Sequence, residues 1–231
     1  MKIGGLQKLT LIDYPGRVAC TVFLSGCNFR CPWCYSAELV LPEKIENQIG
    51  ISKKYFFTFL ERRRGILDGV VICGGEATIH PSLPDFIKEI KEKGFSVKLD
   101  TNGSNPEVLK SLFDNNLIDY VAMDVKNSFE KYEETVGVSC DTKNIKKSID
   151  IIKKSGVDYE FRTTVVPGVH TEDDIEKIGE QIQGASKYFL QNFLPEKTIY
   201  GGFMNKNPFS KEELKKLKEK ADPFVEFCQI R

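Results

Sequence analysis

The chain has 231 residues, with 33 basic and 33 acidic side chains and a formal net charge of zero. This balance gives no reason to expect nucleic acid or an acidic membrane as its main partner. Its apolar runs are too short to span a bilayer, and its length suits a single α/β barrel-type domain. Seven cysteines, with no signal-peptide pattern before them, predict a cytoplasmic location rather than a disulfide framework.

Short apolar segments alternate with amphipathic helical stretches along nearly the whole chain. The predicted strands cover residues 18–24, 69–73, 95–99, 120–123, 159–165 and 187–191. This alternation is typical of repeated β-α units, in which parallel strands are joined by helices. We therefore expect an α/β fold.

The predicted helices have readable ends. Prolines and glycines bound three of them, over residues 83–93, 106–113 and 144–154. Two later helices open with capping boxes, at Thr171 with Asp174 and at Ser210 with Glu213.

These elements predict one domain over residues 1–231. It would consist of an N-terminal segment (1–17), a barrel (18–200) and a C-terminal helix and tail (201–231).

Three cysteines directly follow the first predicted strand. Cys27, Cys31 and Cys34 form a C-x3-C-x2-C array. A cubane iron–sulfur cluster normally takes four thiolates, so three close ligands predict a cluster with one iron open to a small molecule. A zinc site is the alternative, but structural zinc favours paired C-x2-C units and four ligands. The sequence has no second C-x2-C, and a zinc-binding module without catalysis remains the lesser alternative.

Polar residues also stand at the ends of the later strands. They are Gly74, Gly75 and Glu76 after the second strand, Asp100 and Thr101 after the third, Asp124, Val125 and Lys126 after the fourth, Arg162 in the fifth, and Lys197 after the sixth. Because parallel strands with right-handed crossovers place their C-terminal ends on one rim, we expect these residues to line one mouth.

Each of these motifs has a structural alternative. Glycines allow a backbone to approach a ligand, and Glu76 offers an acceptor for an ammonium group, but the same residues suit a tight turn. Asp124 and Lys126 lie two residues apart, on one strand face, where a plain salt bridge is the alternative to ligand binding. An Asx-type turn is the alternative for the segment at Asp100. Arg162 has a guanidinium that can fork onto a carboxylate.

The cysteine array resembles the signature of the radical S-adenosylmethionine (SAM) enzymes, which read C-x3-C-x-aromatic-C. Trp33 fills the aromatic position. The resemblance implies that Cys27, Cys31 and Cys34 hold a [4Fe–4S] cluster, with the amino and carboxylate groups of SAM on the fourth iron. It also places Trp33, Cys34 and Tyr35 beside SAM.

The strand-end motifs extend this resemblance. Segment 74–76 resembles the family's GGE motif, which holds the amino group of SAM. In the activating enzymes of glycyl-radical proteins, segments similar to D-T-N-G and D-x-K bind a monovalent cation and SAM. This implies that Asp100 and Thr101 are cation ligands and that Asp124 and Lys126 contact SAM. Lys197 stands where relatives often carry a histidine near the ribose or adenine.

The resemblance is strongest to the glycyl-radical activating enzymes, among them the activating proteins of anaerobic ribonucleotide reductases. The opening IGGLQKLTLIDYPGR is typical of that group. It implies a (β/α)6 partial TIM barrel with outer helices, which forms a 5′-deoxyadenosyl radical and transfers the radical to a glycine of a partner enzyme. Flavodoxin or ferredoxin would supply the electron. A radical SAM enzyme acting on a nucleotide-related small molecule is the alternative.

Overall fold

The computed structural model describes residues 1–195 and 197–231. Across them the chain is a mixed α/β structure with a mostly parallel sheet and surrounding helices, which confirms the predicted fold class of a partial TIM barrel. The strands are β1 (Ile3–Thr10), β2 (Ala19–Leu24), β3 (Gly69–Gly74), β4 (Ser96–Thr101), β5 (Tyr120–Asp124), β6 (Asp158–Val165), β7 (Tyr188–Asn192) and β8 (Cys228–Ile230). They follow one another across the sheet in chain order.

The sequence predicted the strands from β2 to β7 to within two residues at each end, and it missed the outer two. β1 runs antiparallel to β2, whereas β8 is parallel to β7. β1 carries two adjacent glycines and a polar second half, and β8 has only three residues. Neither strand has the sustained apolar alternation that identifies a strand in a sequence.

Helices lie in the segments between consecutive strands from β2 onward. Over the described residues the α-helices are α1 (Ala37–Val40), α2 (Pro42–Glu46), α3 (Lys53–Glu61), α4 (Leu83–Glu92), α5 (Pro106–Asp114), α6 (Tyr132–Val136), α7 (Thr142–Lys154), α8 (Glu172–Gln181) and α9 (Lys211–Ala221). Both predicted capping boxes are confirmed, at the starts of α8 and α9. None of the helices in this part of the chain is long and apolar enough to cross a bilayer.

The chain divides into two compact units, each with its own buried cluster. Unit 1 comprises residues Met1–Asn28, Ser36–Thr101 and Glu107–Val121. One of its clusters packs Ala19 and Val71 against Tyr14 and Tyr120, whose ring centres are 6.0 Å apart. Tyr14 comes from the segment after β1, so this segment closes over the strand residues of the cluster.

Unit 2 comprises residues Phe29–Tyr35, Asn102–Pro106 and Ala122–Arg231. Its buried cluster of Trp33, Val166 and Phe193 is joined by the half-buried Cys31, Val169 and Phe203. The cysteine-bearing segment is therefore packed against the loops that follow β6 and β7. The division into segments 1–17, 18–200 and 201–231 of one domain stays a prediction.

Candidate functional site

Gly74, the last residue of β3, and Gly75, which follows it, lie against the backbone that leads to Cys27, within unit 1. Gly75 N–H donates to the Leu24 carbonyl (2.9 Å), and Glu76 N–H donates to the Gly26 carbonyl (2.7 Å). A Cβ added to Gly75 would lie 1.9 Å from the Gly26 oxygen, and Gly74 has a φ of 125°. Only glycine fits both positions. The two glycines thus hold the backbone just before Cys27. A tight turn was the structural alternative for this motif, and the close packing of the two glycines agrees with it in part.

Glu76 is a buried carboxylate, with 1% of its surface exposed. Its Oε1 accepts hydrogen bonds from the Thr78 N–H (3.0 Å), from the Thr78 hydroxyl and from the Thr101 hydroxyl (2.8 Å). A buried charge needs such donors to offset its lost hydration. The structure therefore holds Glu76 and Thr101 together, while their predicted contacts with SAM and a cation stay predictions.

Asp100 contacts a buried lysine in the same strand. The Lys98 ammonium forms an ion pair with Asp100 Oδ1, and the Lys98 side chain is 1% exposed against 12% for Asp100. Alternation along β4 places the two residues on one face. The Asp100 carboxylate already has a cationic partner from the protein, which the sequence reasoning did not foresee.

The second and third cysteines form a turn in unit 2. Cys34 N–H donates to the Cys31 carbonyl (3.0 Å). The loop after β7 pairs with this turn, because Ile199 N–H donates to the Cys34 carbonyl (3.1 Å) and Tyr200 N–H to the Pro32 carbonyl (3.0 Å). Two hydrogen bonds from this one loop thereby hold the backbone of the turn. The thiols of Cys31 and Cys34 are half-buried.

Trp33 anchors this turn in the interior. It is buried, and its ring meets His170 edge-on with ring centres 6.0 Å apart. Tyr35 stacks on Phe193 but keeps 41% of its surface exposed. Burial raises the pKa of the Tyr35 hydroxyl. The buried Trp33 ring therefore packs the turn against the interior, while the neutral side chain of Tyr35 is exposed next to Cys34.

A compact group of charges lies at the end of β5. Asp124 accepts from Lys126 Nζ (3.1 Å) and from Arg162 Nε (3.1 Å). The salt bridge between Asp124 and Lys126, which the sequence offered as the alternative to ligand binding, exists, and Arg162 adds to it. Burial alone would raise the pKa of Asp124, but the charges of Arg162 and Lys126 outweigh it and lower that pKa to about 2. The carboxylate is therefore ionised at neutral pH.

Lys126 also carries its charge beside Cys31. Burial alone would lower the pKa of Lys126, but Asp124 and Cys31 hold it above its usual range. Burial raises the pKa of the Cys31 thiol to about 11, and the Lys126 ammonium opposes this increase. A cation next to a thiol favours the thiolate, which is the form that binds metal.

His170 fixes the backbone of Lys126, a role that the sequence did not reveal. Val166 N–H donates to His170 Nδ1 (3.0 Å), so this nitrogen is the acceptor. His170 Nε2 then carries the proton and donates to the Lys126 carbonyl (2.7 Å). Burial lowers the pKa of His170, in agreement with a neutral ring. The Lys126 N–H donates in turn to the Tyr132 hydroxyl (3.3 Å).

The other predicted site residues lie as follows. Val125 is fully buried; its N–H donates to the Arg162 carbonyl (2.8 Å), and its carbonyl accepts from the Thr163 hydroxyl (2.7 Å). Lys197 is exposed. The Asx-type turn that was the alternative for the segment at Asp100 is present, since Asn102 Oδ1 accepts from Ser104 N–H (3.0 Å).

Within residues 1–195 and 197–231, no three His, Cys, Asp or Glu side chains converge as ligands of one metal ion. A cubane cluster binds each cysteine through a different iron, so its ligands need not converge on one ion. The assignment of the three cysteines as cluster ligands stays a prediction.

Comparison with known proteins identifies similar chains. The family profile described as the radical SAM superfamily matches residues 21–182. A proposed glycyl-radical enzyme activating enzyme of Methanocaldococcus jannaschii is 39% identical over 235 residues, which cover 99% of this chain and 95% of that protein. The 7-carboxy-7-deazaguanine synthase of Aquifex aeolicus is 33% identical over 81 residues, or 35% of this chain and 34% of that enzyme.

A solved structure shares the fold. A domain of pyruvate-formate lyase-activating enzyme from Bacteroides vulgatus superposes with a TM-score of 0.57 at 20% identity. The match covers 71% of this chain and 98% of that domain. At this identity the likeness shows the fold alone.

Proposed function

The chain belongs to the radical SAM superfamily, and from this premise we propose that it activates a glycyl-radical enzyme. The family's cofactors are a [4Fe–4S] cluster and SAM. The observation that carries the proposal is the 39% identity over 99% of the chain to a relative named for glycyl-radical enzyme activation. The family match supports SAM chemistry, and this end-to-end likeness supports a protein substrate.

The thiols of Cys27, Cys31 and Cys34 fit the cluster by their chemistry and their surroundings. All three are partly exposed, whereas Cys20 and Cys228 are buried in strands. Burial raises the pKa of the Cys31 thiol, and the Lys126 charge offsets part of this increase. When bound, the cluster supplies the single electron that breaks the sulfonium carbon–sulfur bond of SAM. We propose that flavodoxin or ferredoxin provides that electron.

The charges after β5 would orient SAM. We propose that Lys126 attracts the SAM carboxylate and that Asp124 faces its positively charged groups, since both side chains are ionised and fixed. Arg162 contacts Asp124, so we assign it to holding this carboxylate. Glu76 would accept from the SAM amino group as part of the same proposal.

Alanine substitution tests the cluster ligands one at a time. Each of Cys27→Ala, Cys31→Ala and Cys34→Ala should abolish SAM cleavage by dithionite-reduced protein and the brown colour of the reconstituted chain. Cys20→Ala is the matched control, because this thiol is buried in β2, and it should keep both. A ligand variant that retains full cleavage would refute the assignment.

The radical transfer itself is a hydrogen-atom abstraction. Bound SAM would supply a 5′-deoxyadenosyl radical, and transfer of one hydrogen atom to it from the α-carbon of a partner glycine would give 5′-deoxyadenosine and a glycyl radical. No side-chain acid or base is needed, and the protein's task is to orient the reactants and exclude water.

Electron spin resonance tests this step. Reconstituted protein, SAM and dithionite are incubated anaerobically with an anaerobic ribonucleotide reductase, and a glycyl signal is expected. A reductase with its radical-site glycine changed to alanine is the control and should give no signal. SAM cleavage without a signal on any candidate glycyl-radical enzyme would contradict the proposal.

A small-molecule substrate is the second candidate, favoured by the local likeness to 7-carboxy-7-deazaguanine synthase. That likeness is confined to about a third of each protein. Turnover of a deazapurine precursor or another nucleotide-related compound, with no glycyl signal, would favour this candidate over the activating enzyme.

A further inference from the structure

The charges around Asp124 continue beyond the proposed SAM site as an alternating series within unit 2. Lys126 and Arg162 flank Asp124, and Arg162 in turn approaches Glu160 on the same face of β6. Arg231 completes the series on the far side of Glu160. Cations and carboxylates thus alternate from Arg231 to the ammonium beside Cys31.

Arg231 holds Glu160 with good geometry. Its Nη1 and Nη2 donate to the two carboxylate oxygens of Glu160 at 2.9 and 3.0 Å. The guanidinium carbon lies 3.4 Å from the centre of the Phe189 ring, so the group is stacked as well as paired. Glu160 is 1% exposed, and a forked guanidinium is the strongest partner for such a carboxylate.

Arg162 stands between two carboxylates and bonds only one of them closely. Its Nε is 3.1 Å from Asp124, whereas its Nη1 is 3.9 Å from Glu160, beyond hydrogen-bond distance. Without Arg231, Glu160 would lose two charge-assisted hydrogen bonds while still buried. Arg162, whose Nη1 already lies 3.9 Å from Glu160, is a cation that can move toward it, and that movement would weaken the bond of Arg162 to Asp124.

We propose that Arg231 and Glu160 are positioning residues for SAM. Because Arg231 forms the hydrogen bonds that Glu160 needs, Arg162 remains bonded to Asp124. Asp124 in turn holds the ammonium of Lys126. The inference rests on the proposed SAM contacts of Asp124 and Lys126 and not on the identity of the partner enzyme.

A double-mutant cycle tests this competition in the reconstituted full chain. Arg231→Met should raise the KM for SAM in dithionite-driven cleavage about tenfold, with a smaller change in kcat. Glu160→Gln removes the competing charge, so the double variant E160Q/R231M should return to within about twofold of the parent KM. Melting temperatures of the cofactor-free chains separate a loss of stability from a loss of SAM affinity. The double variant should recover the KM for SAM even if its melting temperature stays below that of the parent.

Two comparisons make the outcome decisive. Lys220→Met removes an ion pair with Glu176 between α8 and α9 and should leave the KM unchanged. An unchanged KM in Arg231→Met, or a double variant as weak as Arg231→Met, would overturn the inference. Asp124→Asn distinguishes the positioning role of Arg231 from the proposed SAM contact of Asp124. If Asp124→Asn raises the KM for SAM and Arg231→Met does not, only the positioning role fails. If Asp124→Asn leaves the KM unchanged, the proposed SAM site fails as well.

Discussion

Replacing Asp124 by asparagine should destabilise the cofactor-free chain in a pH-dependent way. The side chain is 25% exposed, and its neighbours lower its pKa from 3.8 to about 2. Each pKa unit corresponds to about 1.4 kcal/mol, so the ionised carboxylate contributes about 2 kcal/mol to the free energy of unfolding at neutral pH.

The sign of the pH dependence follows from the lowered pKa. A carboxylate whose pKa is lower in the folded state stabilises that state above its unfolded pKa, near 4, and this stabilisation is lost as the pH falls through the folded pKa. The destabilisation by Asp124→Asn should therefore be constant between about pH 7 and pH 5 and fall to about half near pH 3.

Urea denaturation of the reduced, cofactor-free chain, followed by circular dichroism at several pH values, measures this effect. Asp158→Asn is the control, because Asp158 is exposed at the start of β6, and it should match the parent throughout. A variant at Asp124 that is as stable as the parent at pH 7, or a difference that does not shrink in acid, would refute the reasoning.

Two further predictions concern unit 1. Thr101→Val removes the hydroxyl that donates to the buried Glu76. It should lower the free energy of unfolding measured in urea by about 1.5–3 kcal/mol, and Thr101→Ser, which keeps a hydroxyl, should lower it less. Equal losses in the two variants would contradict the hydrogen-bond account. Lys98→Met removes the ammonium that pairs with Asp100. We expect this ammonium to replace the monovalent cation predicted at Asp100, so SAM binding should depend on potassium chloride in the variant and not in the parent, with tetramethylammonium chloride as the control. A parent with the same dependence on potassium would show that Lys98 does not replace the cation.

The sequence predicted the repeated strand and helix units of the fold. β2 to β7 and the helices α4, α5, α7, α8 and α9 carry apolar periodicity and terminal residues that act locally, so their positions can be predicted without knowledge of the fold. β1 and β8 lack such patterns and depend on the sheet edges they join. The convergence of the polar strand ends rests on topology and stays a prediction, while Gly74, Asp100 and Asp124 are the last or next-to-last residues of their strands.

The sequence could not predict the partners of the site residues. Arg162 was expected to fork onto a carboxylate, and in the structure its Nε contacts Asp124 from the adjacent β-α unit. His170 and Arg231 gave no local signal, because their roles come from contacts with residues 44 and 71 positions away. Alternation within β4 places Lys98 beside Asp100, but it does not show that the lysine is buried.

Isotope transfer tests the central claim most directly. A glycyl-radical enzyme labelled with deuterium at the α-carbon of its glycines is incubated with the reconstituted chain, SAM and dithionite, and the 5′-deoxyadenosine is analysed by mass spectrometry. The proposed activation predicts that one deuterium atom enters the 5′-deoxyadenosine as the glycyl signal grows. Unlabelled 5′-deoxyadenosine formed in the presence of this partner, with no glycyl signal, would contradict it.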